Sequence, residues 1–572
     1  MQMESGYTGG DRKGALALAG IAIVLVALLL RFVELGSGFL LPRESALAVA
    51  SLGVARGSGI TSLVPWPGDA LFFGLNAVTF FVGATSNFWA RFWPALFGTA
   101  MVALPFFLPM RDRREKWRSL VFALLIAVSP SFVFWSRRLD GSIGAAFGTL
   151  LFLVFLFREG RFSRYVAGVG LALVLLSGRS GMSYLISVGV VGAWALAQRD
   201  RGSLRAKLVS DLPALVLPLV VVYALVSTVG FSFLPGFGMA ANGVTEWFGA
   251  FFRPGRIPWW WPALHLLLDE PMILLLAFVS FFDEELWIST KPALLVSWSF
   301  VALMLMLWQV GRSAGDLLAV LLPLAWIGSE ALSRVVTSSD FHTRVLDWPY
   351  SAPALVTEIV LFFYLGITLA MYTQLGKPTV LLLSLAGVLI LASVVLLSYT
   401  YVGLRGALQG FLVSLLVILA LYSVHLAVGL SIERNPLRYE AYLPQSVSAD
   451  FRAFLDQVRA ESFHKVGDDR LISIDVVGVR PEVRWVLLWA LRDFDNTRFL
   501  DALPRSPARI VVTPDSKTWV EQVHGYSGQE IAVLVNWSPA GVRGTQLLRW
   551  IQLRERGDPD SVSKVALWVA PK

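Results

Sequence analysis

Apolar runs of about 18 or more residues recur from Ala15 to Leu430, separated by short loops that hold most of the basic side chains. A run of that length crosses a bilayer as a helix, because lipid leaves every backbone polar group to be satisfied within its own segment. The sequence therefore predicts a polytopic α-helical membrane protein. Composition agrees: 56% of the 572 residues are hydrophobic and only 15% charged, against about 25% charged in soluble domains. The net charge of +8 does not point to nucleic acid, because the positive residues sit in loops where they set membrane orientation. The absence of cysteine excludes disulfides, thiol catalysis and Cys-ligated metal. His265, His342, His425, His464 and His524 are scattered without metal-ligand spacing and read as packing or surface residues.

Taken in order, the chain opens with a polar segment carrying Arg12 and Lys13, which places the N-terminus in the cytoplasm. Ala15–Leu35 is the first span, read as an uncleaved anchor. Residues 36–87 form an outer loop with two juxtamembrane helices, one after Pro42 and one in Asp69–Thr85. Treating the second as interfacial keeps the basic loop Arg111–Arg118 inside. About 13 spans result, the last being Ala407–Leu430, with a basic inner loop at Arg334, His342 and Arg344. The segment Phe231–His265, with its prolines and three successive tryptophans, suits an interfacial belt. Residues 432–572 are soluble in character. Alternating strands (Leu471–Val477, Arg509–Thr513, Ile531–Val535, Lys564–Ala570) and helices there predict a small extracytoplasmic α/β domain. Ser448 is a candidate cap for the first of these helices, which carries Phe451, Leu455 and Val458 on one face.

This topology gathers charges of both signs at the outer ends of spans: Arg43, Glu44, Asp69, Arg91, Arg137, Arg138, Asp140, Arg179, Asp269, Glu270, Arg312 and Asp316. Singly, each reads as a snorkelling or paired residue; as a set they predict a polar cavity at headgroup depth. Arginines there suit a phosphate, and carboxylates suit sugar hydroxyls, a base or a divalent metal. Glu358 is a lone inner-half charge that reads as paired or snorkelling.

The residues also carry a resemblance. Arg43-Glu44-Ser45-Ala46 in the first loop, Pro67-Gly68-Asp69, Arg91 in ARFWPALFGT, Ser129-Pro130 with Ser136-Arg137, LDEPMILL at Leu268–Leu275, and WVLLWALRDFDNTRF at Trp485–Phe499 together resemble the GT-C-fold glycosyltransferases. The similarity is to the family 39, protein-mannosyltransferase-like group, and within it to a prokaryotic branch called flippase-activity-associated. It implies a GT-C-like membrane domain over residues 1–431 and transfer of a sugar from a polyprenyl-phosphate donor to a lipid or protein acceptor. It also implies a place in the cell membrane. By the same resemblance Glu44 or Asp140 is the base, and Arg43, Arg137, Arg138 and Arg179 hold the donor phosphate. Asp69, Arg91, Asp269, Glu270, Arg312 and Asp316 line the cavity, and Mg²⁺ or Mn²⁺ is a candidate cofactor.

Four elements depart from the family pattern. Arg43 stands where the first-loop Asp belongs, and a guanidinium accepts no proton near neutral pH. Ser142 replaces the second Asp, with Asp140 two residues earlier. Gly178-Arg179-Ser180 and Arg312–Asp316 replace a Lys-Glu pair and a Glu-Lys/His element. A catalytically degenerate homologue that binds a protein partner through its C-terminal domain is therefore the alternative. A transporter role is disfavoured by the lack of an inverted repeat.

Overall fold

The structure is a computed structural model that describes the chain apart from residues 1–7, 59–67, 109, 157, 198–200, 256, 288–289, 338–350, 433–441, 443–444, 538–544, 555–558 and 572. Pro67, His342 and Arg344 lie outside the described residues.

The apolar runs are helices: α1 (Thr8–Phe32), α2 (Pro42–Ala55), α3 (Ala70–Phe81), α4 (Asn87–Ala103), α5 (Arg113–Val128), α6 (Pro130–Ser136), α7 (Gly141–Leu156), α8 (Arg161–Leu176), α9 (Gly178–Ala197) and α10 (Arg201–Ser227). They continue as α11 (Gly236–Gly249), α12 (Trp261–Asp269), α13 (Pro271–Ser280), α14 (Glu284–Trp287), α15 (Thr290–Trp308), α16 (Leu317–Thr337), α17 (Ser351–Leu375) and α18 (Pro378–Ser431). Among the described residues, five helices are long and apolar enough to cross a membrane, and seven if each bent pair is one span; Leu16–Phe32, Ala70–Phe81, Gly141–Leu156 and Leu212–Ser227 are shorter apolar helices. The chain is a membrane protein.

Three interruptions shape the bundle. α5 and α6 meet at 61°, because Ser129 precedes Pro130 and so leaves the helical region, while its hydroxyl caps α6 through Phe132 N at 3.4 Å. α12 and α13 meet at 92° around Glu270 and Pro271. The two last predicted spans run into one 54-residue helix, α18, kinked at Gly403 with φ of 75°, a conformation that favours glycine.

Buried arginines finish these ends. Arg31 of α1 is 0% exposed and donates to Ile126 O (3.0 Å), Ala127 O (3.1 Å) and Ser136 Oγ (3.2 Å), capping the C-terminus of α5. Arg137 donates to Leu30 O, Arg31 O and Val33 O at the end of α1 and to Ser431 O at the end of α18, at 2.7–3.2 Å. Glu358 is buried and accepts from Ser414 Oγ at 2.5 Å, pairing α17 with α18.

The C-terminal part holds β1 (Gln445–Val447), α19 (Asp450–Val466), β2 (Ile474–Val477), α20 (Pro481–Ala490), β3 (Thr497–Leu500), β4 (Ile510–Thr513), β5 (Ser527–Asn536), α21 (Thr545–Leu553) and β6 (Ser561–Val569). One sheet runs in the order β1-β5-β6-β4-β2-β3, with β2 parallel to β3 and β4 and the remaining pairs antiparallel. Strand alternation sends Ile474 and Val476 to a core shared with Phe451, Phe454 and Val458 of α19, and Val477 to the opposite core with Trp568. Ser448 Oγ accepts from Asp450 N at 3.3 Å. The three-residue β1 and four-residue β3 are strands that sequence reading did not anticipate.

This domain is bolted to the helices. Phe451 packs edge-on against Phe39 of the first loop with centroids 5.0 Å apart, and Trp489 Nε1 donates to Asn87 Oδ1 at 2.7 Å. Deeper, Arg554 pairs with Asp269, which also meets His265 Nδ1; all three are 1% exposed. His265 stacks on Trp261 at 4.5 Å. Removing one partner of such a pair leaves an uncompensated buried charge, which costs about 3–5 kcal/mol. Arg554→Met is therefore expected to lower the thermal midpoint and speed proteolytic release of the C-terminal domain. Arg554→Met/Asp269→Leu should recover most of the loss; an unchanged midpoint in the single variant would refute the latch.

Candidate functional site

The predicted cavity residues divide into separate groups. The first is built on Glu44, whose position at the third residue of α2 lets Oε2 accept from Leu41 N at 2.9 Å, an N-terminal cap by a carboxylate. Arg91 grips both oxygens, Nε to Oε1 at 3.0 Å and Nη2 to Oε2 at 2.7 Å. Leu139 N adds 2.8 Å to Oε1, and Arg138 stands 3.7 Å from Oε2 with its guanidinium 5.2 Å from the Phe134 ring centroid. Arg91 also donates to Gly38 O (3.2 Å) and Phe39 O (2.8 Å), and so pins the first loop to α4. Burial alone would raise the Glu44 carboxyl, but Arg91 and Arg138 with these hydrogen bonds hold it down to about 2. Such a carboxylate is a poor proton acceptor and a good strut. Arg91, Arg137 and Arg138 also line a small polar cleft beside Glu34 and Gly38.

The second group lies where α3, α7, α9 and α16 begin. Asp69 caps α3 with Oδ1 (Phe72 N, 3.2 Å), while its buried Oδ2 has no partner. Asp140, just before α7, accepts at Oδ1 from Ser142 N (2.9 Å) and from Ser142 Oγ. Ser142 Oγ lies 3.1 Å from Ser180 Oγ, which donates at 3.3 Å to Asp316 Oδ1. Arg179 donates to Asp316 Oδ2 (3.3 Å), Gln309 Oε1 (2.7 Å) and Gly311 O (2.5 Å). One polar chain thus links Asp140, Ser142, Ser180, Asp316 and Arg179.

Two glycine contacts make this convergence possible. A methyl group at Gly315 would overlap Ser142 Oγ. One at Gly178, whose φ is 60°, would overlap the carbonyl of Gly68, so α9 starts directly against the residue before Asp69. Glu246 of α11 closes one side: its carboxylate stands against Gly68, where a methyl group would overlap it, and lies within electrostatic reach of Arg43, Arg179 and Arg253. Arg43 itself is exposed. Burial, then the neighbouring charge of Asp140, push the Asp69 carboxyl up to about 8.

The remaining predicted residues stand elsewhere. Asp269 belongs to the Arg554 latch. Glu270 accepts from Ser129 Oγ (2.6 Å) and Ser131 N (2.7 Å), stabilising the α6 N-terminus. Arg312 spends its guanidinium on Ile257 O (2.7 Å), Leu307 O (3.1 Å) and Met306 O (3.3 Å), finishing α15. Arg137 is likewise committed to backbone carbonyls. The single outer cavity expected from the sequence is therefore resolved into a strut around Glu44, a carboxylate chain around Asp140, and isolated caps and latches. Sequence reading missed Arg31, Glu246 and Arg554. Among the described residues no group of three or more His, Asp or Glu side chains is placed to hold a metal ion.

No protein-family model matches the sequence, and no curated protein matches it. Solved structures do match in shape. The crystal structure of ArnT from Cupriavidus metallidurans bound to undecaprenyl phosphate superposes with a TM-score of 0.55 at 13% identity, covering 96% of this chain and 99% of that one. The same protein in its apo state gives 0.54 at 15% identity, covering 90% and 97%. The likeness runs end to end and shows that the chain has the GT-C fold.

Proposed function

We propose that this chain is a membrane glycosyltransferase that moves a sugar from a polyprenyl-phosphate donor to a hydroxyl-bearing lipid or protein acceptor on the outer face of the membrane. The observation that carries this reading is the gathering of Asp69, Asp140 and Asp316 where four helices start, with the exposed Arg43 within electrostatic reach of the bordering Glu246. Supporting it, the ArnT structure of the same fold is bound to undecaprenyl phosphate.

In this reading Asp140 takes the proton of the acceptor hydroxyl as its oxygen attacks the anomeric carbon. The bond between that carbon and the phosphate oxygen breaks with its electron pair, and polyprenyl phosphate leaves. Arg43 meets the phosphate charge at the rim. Arg179 orients Asp316 rather than contacting phosphate, because both of its terminal nitrogens are engaged, Nη1 with Gly311 O and Nη2 with Gln309 and Asp316. The base falls to Asp140 and not Glu44, whose oxygens are taken by Arg91, Leu41 and Leu139.

That lock at Glu44 also favours a second reading, a scaffold that keeps the fold without turnover and binds a protein partner through its C-terminal domain. The test is release of polyprenyl phosphate by the full chain in detergent, followed by mass spectrometry over a panel of polyprenyl-phosphate hexoses and pentoses. Turnover that falls by about 10²–10⁴ in Asp140→Asn supports the transferase. No turnover with any donor supports the scaffold.

A further inference from the structure

The carboxylate chain is bordered by buried polar atoms that the protein itself leaves unsatisfied. Tyr184 is 1% exposed and its hydroxyl has no partner. It sits one turn beyond Ser180 on α9, a spacing that places both on one helix face, and Ser180 is the residue that donates to Asp316. Tyr184 thus shares the face of α9 that Ser180 turns to Asp316, with its ring 6.4 Å from that of Trp298 on α15. Gln309 is 0% exposed; its Oε1 accepts from Arg179 at 2.7 Å, so its Nε2 is turned away from the guanidinium and is left without an acceptor. The amide cannot flip without setting N–H groups against a guanidinium, so this orientation is fixed. Arg179 Nε is a third buried donor without a partner in the same place.

Buried donors are nearly always hydrogen-bonded, since leaving one unmet costs about 1–3 kcal/mol. Three of them beside one carboxylate describe a site whose acceptors arrive from outside. The required ligand accepts from Tyr184, Gln309 and Arg179 and donates to Asp316. A hydroxyl does both, whereas a phosphate oxygen would be repelled by Asp316, Asp140 and Glu246.

We infer that Tyr184 and Gln309, with Asp316, form a hydroxyl-reading subsite that holds the sugar ring of the donor, on the side of Asp140 away from the phosphate. This rests on the transferase reading for the identity of the donor, but the subsite itself is tested by binding. Tyr184→Phe removes only the hydroxyl. Gln309→Glu keeps the oxygen used by Arg179 and removes the N–H₂ donor.

The experiment compares the affinity of wild type and each variant for polyprenyl-phosphate hexose and for sugar-free polyprenyl phosphate of the same chain length, by native mass spectrometry. Thermal midpoints are measured without ligand. Each lost hydrogen bond is expected to weaken the sugar-bearing lipid by about two- to tenfold and to leave the sugar-free lipid unchanged. In Tyr184→Phe the midpoint should hold or rise, because an unmet hydroxyl is gone. Where wild type turns over, the loss should appear in KM more than in kcat. Equal weakening of both lipids would overturn the subsite, as would unchanged affinity with a lowered midpoint. Turnover fails independently: wild type that binds sugar-bearing lipid through Tyr184 but never transfers would keep the subsite and remove the transferase.

Discussion

Glu44→Gln is expected to destabilise the protein by about 3–5 kcal/mol, the scale set by breaking a buried ion pair from one side. The variant keeps the shape of the side chain but replaces an anion that accepts from Arg91, Leu41 N and Leu139 N with a neutral amide. One of its two positions then presents N–H groups to donors, and Arg91, 3% exposed, keeps its charge without a counterion. The loss spreads because Arg91 also holds the carbonyls of Gly38 and Phe39, and Phe39 is the ring on which the C-terminal domain rests. The pH dependence has a definite sign. The folded carboxyl titrates at about 2, below its ordinary 4.5, so its contribution is full above about 4.5 and is lost as pH falls toward 2. Wild type should show that acid transition and Glu44→Gln should lack it. Thermal unfolding between pH 2.5 and 7 checks both, and a variant as stable as wild type at pH 7 would show that Glu44 is no strut.

Much of the frame was legible in the sequence because lipid imposes a rule that sequence records directly: a span must be apolar and continuous. The predicted spans Ala15–Leu35, Phe88–Met110 and Pro292–Val310 are met by α1 (Thr8–Phe32), α4 (Asn87–Ala103) and α15 (Thr290–Trp308). The strands of the C-terminal domain with β-branched runs were legible too, whereas β1 and β3 are short and defined by their neighbours in the sheet. The site was legible only as a set of charges. Sequence periodicity ranks residues by depth, not by which helix they face. Arg137 and Arg179 look alike in the chain, yet one closes the end of α1 and the other orients Asp316. Arg31 was hidden for the opposite reason: at the end of the first span it reads as an ordinary flanking arginine, and only the bend after Ser129 exposes the carbonyls it caps. Tyr184 and Gln309 carry no sequence signal at all. Their meaning comes from what fails to meet them.

Asp69 is expected to behave as the inverse of Glu44. Asn caps a helix as well as Asp does, so Asp69→Asn preserves the bond to Phe72 N and removes the carboxyl whose Oδ2 is buried without a partner beside Asp140. In the folded protein that carboxyl titrates at about 8, above its ordinary 3.8. Between those values the native state holds a proton that the unfolded chain has released, so wild-type stability falls as pH rises from about 4 to about 8. Asp69→Asn should abolish that slope and gain about 2–4 kcal/mol at pH 7. Its transfer rate should fall by about 10² or more, because the carboxyl raised by burial and by the charge of Asp140 is replaced with an amide that can neither hold nor release a proton at that place. A substitution that stabilises while it disables marks a group retained for chemistry rather than for folding. Thermal midpoints from pH 4 to 9, measured with donor turnover on the same preparations, decide it. A lowered midpoint at pH 7 would return Asp69 to the role of a simple cap, and a raised midpoint with undiminished turnover would move the chemistry away from this carboxylate.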